Sequence, residues 1–185
     1  VYEINLQQYV DTNRMTEQQL HILQAAVADH SNIMVVGGTS SGKTTFANAL
    51  LAEISSRFPN ERICLIETVA ELQCAVKNKV ELLTSEVANA TRLLSAILRM
   101  RPDRIIVGEV RDAAALDLLK AWNTGHPGGV STIHANSARE GLSRLELLIG
   151  EATATPMPRL IAQAIDLVVF VTKDPVVGRR VGEII

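Results

Sequence analysis

Short apolar runs alternate along this chain with longer stretches in which apolar residues recur every three or four positions. Ile33-Met34-Val35-Val36, Ile63-Cys64-Leu65-Ile66, Ile105-Ile106-Val107 and Leu167–Val171 are continuous apolar runs, too short for buried helices, and each reads as a strand covered on both faces. Val80–Leu83 and Gly129–Ile133 read as further short strands. Between them the 3.6-residue period predicts helices. The first starts at Thr16, where Thr16-x-x-Gln19 has the form of a capping box, and carries Leu20, Leu23 and Val27 on one face to about Asp29. Others run from Lys43 to Ser56, Asn89 to Met100, Ala113 to Trp122, Ser137 to Leu148 and Met157 to Ala164, stopped or started by Pro59, Pro102, Gly125 and Pro156. Gly178 turns the chain into Arg180–Ile185, read as the hairpin partner of the last strand. Strands alternating with helices predict an α/β fold: a mostly parallel sheet flanked by helices, with a C-terminal β-hairpin.

Composition narrows the picture without changing it. A chain of 185 residues with 47% apolar and 21% charged residues is one ordinary globular domain. Eighteen Lys and Arg against twenty Asp and Glu leave a net charge of −2, which argues against a dedicated nucleic-acid binder. Cys64 and Cys74 lack the neighbours of a metal site and read as buried reduced thiols. No apolar stretch is long enough to span a bilayer and no signal peptide opens the chain, so the expectation is a soluble intracellular protein. Residues 1–15 are polar and read as a linker from a missing N-terminal domain, with residues 16–185 forming the folded domain.

Candidate chemistry concentrates at strand ends. Gly37-Gly38-Thr39-Ser40-Ser41-Gly42-Lys43-Thr44 fits G-x-x-x-x-G-K-[ST] in full, with a strand before it and a helix after it. In such a loop backbone N–H groups from Gly38 through Thr45 surround a phosphate, and the helix N-terminus adds its positive end. Lys43 reaches the β- and γ-phosphates and the Thr44 hydroxyl ligates Mg²⁺. Glu109 ends the Ile105–Val107 strand and is a candidate to order Mg²⁺ or its waters, and Glu67, at the end of Ile63–Ile66, to polarise an attacking water, with Glu71 competing. His126 and His134 flank one strand and are both candidate γ-phosphate sensors. Arg99, Arg101, Arg104 and Arg111 bracket the Glu109 strand and suit phosphate or an interface.

Together these segments resemble the C-terminal ATPase domain of the type IV secretion and conjugal transfer ATPases, most closely the TrbB type, over nearly the whole chain. Residues 32–38 are similar to that family's entry to Walker A, Arg99–Asp112 to its Walker B box, and Ala121–Gly129 with Ser131–Asn136 to its His box. The resemblance implies a RecA-like P-loop domain that binds ATP and Mg²⁺. It implies Glu109 as the Walker B glutamate, Glu67 as water activator, Arg101 at a nucleotide or subunit interface, and His134 as reporter of nucleotide state. It further implies a homo-hexameric ring of the full-length protein, cytoplasmic and held at the inner membrane by apparatus partners; the near-neutral charge and 3% aromatic content predict no direct nucleic-acid binding. A fragment lacking the N-terminal domain is then expected to be monomeric or weakly associated, and slow. One departure stands out: the family's acidic box reads Glu-Asp-Thr, whereas here it is Glu67-Thr68-Val69, with the second carboxylate missing. The alternatives are a pilus retraction or type II secretion motor, or a gate that binds ATP and barely hydrolyses it.

Overall fold

Each apolar run becomes a strand of one sheet. The computed structural model describes residues 5–185. In chain order the elements are α1 (Leu6–Asp11), α2 (Glu17–Ala28), β1 (Ile33–Val36), α3 (Lys43–Arg57), β2 (Ile63–Glu67), β3 (Lys79–Leu83), α4 (Ala90–Ile97), β4 (Arg104–Val107), α5 (Ala114–Asn123), β5 (Val130–Ile133), α6 (Ala138–Gly150), α7 (Pro158–Ala164), β6 (Leu167–Asp174) and β7 (Gly178–Ile184). A 3₁₀ turn, Leu98–Met100, extends α4. The seven strands are ordered β3-β2-β4-β5-β1-β6-β7. β1 to β6 are parallel and β7 returns antiparallel to β6.

Pleating divides each central strand between two cores. Ile33, Val35, Ile63, Leu65, Ile106 and Val169 face α2 and α3, where Leu23, Phe46, Leu50 and Ile54 are buried. Met34, Val36, Cys64, Ile66, Ile105 and Val107 face α4, α5 and α6, where Ile97, Leu119 and Leu145 are buried. With both faces covered, the strands need no polar alternation, which is why they read as unbroken apolar runs.

The predicted elements all form, with ends shifted by a residue or two, β6 running three residues beyond the expected Val171, and the Asn89–Met100 helix finishing in the 3₁₀ turn. The Thr16–Gln19 capping box is made, with Thr16 accepting from the Gln19 N–H and Gln19 accepting from the Thr16 N–H. Residues 5–15 depart from the linker expectation. Asn5 and Gln8 close a second capping box, Leu6, Tyr9 and Met15 are buried, and the Tyr9 ring meets Phe46 edge-on at 5.3 Å. This segment packs on the domain through three apolar residues spaced along polar text. Cys64 and Cys74 are free and buried, and burial raises both thiol pKa values.

In a parallel sheet the residues after every strand gather at one edge and the residues before every strand at the other. Each four-residue strand here separates the two edges by about 13 Å. That separation sorts the candidate residues.

Candidate functional site

The loop after β1 carries the G-x-x-x-x-G-K-[ST] segment, and its shape demands glycine twice. A Cβ on Gly37 would lie 2.4 Å from Ser41 Oγ and 2.5 Å from the Val171 carbonyl oxygen. Gly42 caps α3 at φ +98°, a left-handed conformation that glycine adopts without strain. The loop thus delivers Ser40, Lys43, Thr44 and Thr45 to the start of α3, where with Thr39, Gly42, Glu109 and His134 they line a cavity of about 450 Å³. Gly38 and Ser41 belong to the loop itself: the Ser41 N–H donates to Gly38 O, and Ser41 is buried with no partner for its hydroxyl among the described residues.

Lys43 is 7% exposed. Its ammonium donates to Gly38 O at 3.0 Å and to His134 Nδ1 at 3.1 Å. An ammonium only donates, so the His134 ring accepts from Lys43, closer at Nδ1 than at Nε2, which is 3.5 Å away. Burial lowers the Lys43 pKa, against the raising influence of the Glu109 charge, and Arg111 lowers it further. Lys43 therefore has two neutral acceptors where an anion would satisfy it better.

Glu109 is positioned by the stitching of Gly108–Val110 to β5. Thr132 Oγ1 donates to Gly108 O at 2.8 Å and the Val110 N–H to Thr132 O at 2.9 Å. Glu109 Oε2 accepts from Arg111 Nε at 2.8 Å and also pairs with Arg111 Nη2. His134 Nε2 stands 2.7 Å from Oε1, but off the hydrogen-bonding direction, so Oε1 is buried and unbonded among the described residues. Lys43, His134 and Glu109 thus meet, from three different strand ends.

Glu67 comes to the same edge, 8% exposed, with its Cγ 3.1 Å from where a Cβ on Gly108 would sit. Its Oε1 accepts the Glu71 and Leu72 N–H groups at 2.9 and 2.8 Å. That oxygen folds the 68–72 loop back and sets the Glu71 carboxylate on Thr44, whose hydroxyl donates to Glu71 Oε2 at 3.2 Å. Asn48, one turn along α3 from Thr44, holds the loop from the other side: its Nδ2 donates to Glu71 O and its Oδ1 accepts the Gln73 N–H. Sequence motifs do not mark Asn48; its only signal is the i+4 spacing from Thr44.

The remaining candidates lie elsewhere. Arg101 and His126 share a hollow with Pro102 and Asp103 at the opposite edge of the sheet. His126 Nδ1 contacts Pro102 O at 3.0 Å, and Arg101 is exposed at φ +52°. The reason is topological: both precede their strands, whereas Glu109 and His134 follow them. Within one chain neither reaches the P-loop. Arg99 is exposed beside them in the 3₁₀ turn. Arg104 is fully buried and structural, with Nε on Glu61 Oε2 at 2.5 Å and Nη1 on Gly128 O at 3.1 Å. No group of three or more His, Cys, Asp or Glu side chains suited to hold a metal occurs among the described residues. A cation here would be held by few protein ligands, as Mg²⁺ on a nucleotide is. The buried unbonded Oε1 of Glu109 and the Thr44 hydroxyl fit that donor set.

The sequence pattern of the type II/IV secretion system protein family matches residues 2–173. The chain belongs to that family. Among its type II/IV secretion relatives, the conjugal transfer protein TrbB of Rhizobium radiobacter is 52% identical over 182 residues, 98% of this chain and 56% of that protein. The type IV secretion system protein PtlH of Bordetella pertussis is 41% identical over 175 residues, 87% of this chain and 49% of that protein. The crystal structure of the VirB11 ATPase from the Brucella suis type IV secretion system, in complex with sulphate, superposes with a TM-score of 0.86 at 31% identity, covering 97% of this chain and 55% of that one. The chain thus spans about half the length of these relatives, and its fold is the VirB11-like form of the P-loop ATPase domain. No helix among the described residues is long and apolar enough to cross a membrane.

Proposed function

We propose that this chain is the catalytic domain of an ATPase that powers conjugative type IV secretion, either DNA or protein transfer or assembly of the conjugative pilus. The observation that carries this reading is the meeting of a buried, anion-poor Lys43 with a buried, unbonded carboxylate oxygen of Glu109 across one cavity at the P-loop. A Mg²⁺·ATP phosphate chain meets both needs at once. The kinship with conjugal transfer and type IV secretion proteins favours this branch over a pilus retraction or type II motor.

In this reading the backbone N–H groups of Gly38–Thr45 hold the β-phosphate, and Lys43 leaves His134 Nδ1 for the β- and γ-phosphate oxygens. Thr44 and Glu109 hold Mg²⁺, which supplies neutralisation of the phosphate charge when bound. Glu71, already on the Thr44 hydroxyl, lines one hollow with Thr68, the residue that stands at the sequence position of the family's second acidic-box carboxylate. Glu67 keeps Oε2 for the attacking water while Oε1 anchors the loop. His134, released by Lys43, reports whether the γ-phosphate is present. Catalysis is by positioning and charge stabilisation. Arg101, at the far edge of the sheet, acts on a neighbouring subunit's site or interface in a homo-hexameric ring of the full-length protein. That ring works in the cytoplasm, docked on inner-membrane components of the apparatus and without direct nucleic-acid contact. The isolated domain, lacking the rest of the relatives' length, turns over slowly.

The test is Mg²⁺-dependent phosphate release from ATP by a protein of the relatives' full length containing this chain, beside its Glu109→Gln variant. Turnover that falls at least a hundredfold in the variant supports the motor. ATP binding without turnover in either protein replaces it with the gate.

A further inference from the structure

One arginine at the P-loop lies outside every motif. β6 pairs with β1 as far as Val36 opposite Phe170, then continues through Val171–Asp174 before the chain turns and comes back from Gly178. The hairpin end therefore stands beyond β1, against the loop that follows it, with the Val171 carbonyl close to Gly37. On the returning strand Arg179 and Val181 share a face. Val181 is buried in the core on the α3 side, so Arg179 lies on the α3 side as well, while Arg180 points away and pairs with Asp174.

The Arg179 side chain lies across Gly42. A Cβ built on Gly42 would be 2.7 Å from Arg179 Cδ, and Arg179 lines the same cavity as Lys43 and Thr44. Arg57, Arg104, Arg111 and Arg180 each pair with a carboxylate, but no carboxylate among the described residues pairs with Arg179. A guanidinium without an anion, laid on the glycine that opens a phosphate-binding helix, is suited to bidentate contact with phosphate oxygens.

We propose that Arg179 is a nucleotide-binding residue that clamps the phosphate chain from the hairpin side of the P-loop. The proposal rests on the nucleotide reading above and adds a ligand from the C-terminal hairpin. It also gives Gly42 a second duty: besides its left-handed backbone, its missing side chain makes room for the arginine.

Calorimetric titrations of ADP and of inorganic pyrophosphate into the wild-type chain and its Arg179→Ala, Arg180→Ala and Lys43→Met variants separate the possibilities. Thermal denaturation of each variant checks that it is folded. The clamp predicts that Arg179→Ala weakens both ligands by about tenfold, the size of one charge-assisted contact, and that Arg180→Ala binds both within about twofold of wild type. Binding of both ligands by Arg179→Ala within about twofold of wild type overturns the clamp. A loss confined to ADP also overturns it, because the contact would then be to the nucleoside. If Lys43→Met abolishes binding while Arg179→Ala does not, the nucleotide reading stands and only this inference fails. If the wild type binds neither ligand, both fail.

Discussion

Lys43, at the start of α3, and Arg104, at the start of β4, are both buried basic side chains, one at each edge of the same sheet. Their surroundings differ sharply. Arg104 has Glu61 on Nε, the Gly128 and Val27 carbonyls on its Nη atoms, and the Phe58 ring 4.7 Å below its plane. Glu61 in turn has His30 Nε2 at 2.6 Å. Lys43 has one carbonyl and one imidazole. The edge before the strands is closed by interactions within the protein; the edge after them holds charges whose partners are incomplete. Buried polar groups are normally satisfied, so the unfinished edge is where a ligand belongs, and the finished edge ties α2, α3, β4 and the loop before β5 together.

Breaking the finished edge should produce the largest effect on folding. Arg104→Ala strands the buried Gly128 carbonyl and removes the ion pair from Glu61, a loss of about 3–5 kcal/mol. At about 2–4 °C per kcal/mol for a chain of this size, the thermal midpoint should fall by roughly 10 °C, as read by circular dichroism. A fall under about 3 °C would mean that the pair contributes little.

The same operation on the unfinished edge should have the opposite sign. Lys43→Met removes a charge that burial disfavours, and should raise the midpoint by about 2–4 °C while abolishing ADP binding. The pH dependence follows from the lowered Lys43 pKa. Below the folded-state value the amine is charged in both states and the cost of burying it is fully present. As pH rises from the folded value towards the unfolded value near 10.4, the folded protein loses the proton first and the cost disappears. The advantage of Lys43→Met over wild type should therefore shrink as the pH rises towards that unfolded value, and an advantage that grows with pH would refute the assignment.

Asn48→Ala sharpens the comparison by loosening the unfinished edge without touching a charge. It deletes two bonds to the 71–73 segment, worth about 1–2 kcal/mol together, and should lower ATP turnover more than ADP affinity, because Glu71 at Thr44 is what it holds. The smallest effect separates the two histidines. His134→Ala should change ADP affinity by about fivefold, one hydrogen bond's worth, whereas His126→Ala should leave it within about twofold. Equal effects would dissolve the distinction between the edges.

Much of this was legible before the structure. The strands are continuous apolar runs because helices cover both faces, and the P-loop declares itself by its glycines and its strand–loop–helix setting. Strand direction also carries unused information: a residue preceding a parallel strand lies at the far edge from one following it, which separates Arg101 and His126 from Glu109 and His134. The α1 segment was hidden because Leu6, Tyr9 and Met15 are too few to make a periodic face, although Asn5-x-x-Gln8 is itself a capping signal. Arg179 and Asn48 were not legible. Their places depend on how far the hairpin extends past β1 and on how the 68–72 loop folds back under Glu67, and neither has a local sequence signature.

The most direct test of the two-edge account is the rise in thermal midpoint on adding ADP, measured for the wild type, Lys43→Met and Arg104→Lys. Ligand at a hundred times its Kd stabilises by about 2.7 kcal/mol, or about 5–10 °C here. The account predicts that full rise for the wild type. It predicts the same rise from a lower starting midpoint for Arg104→Lys, and none for Lys43→Met. A rise that survives in Lys43→Met, or vanishes in Arg104→Lys while that variant remains folded, would contradict it.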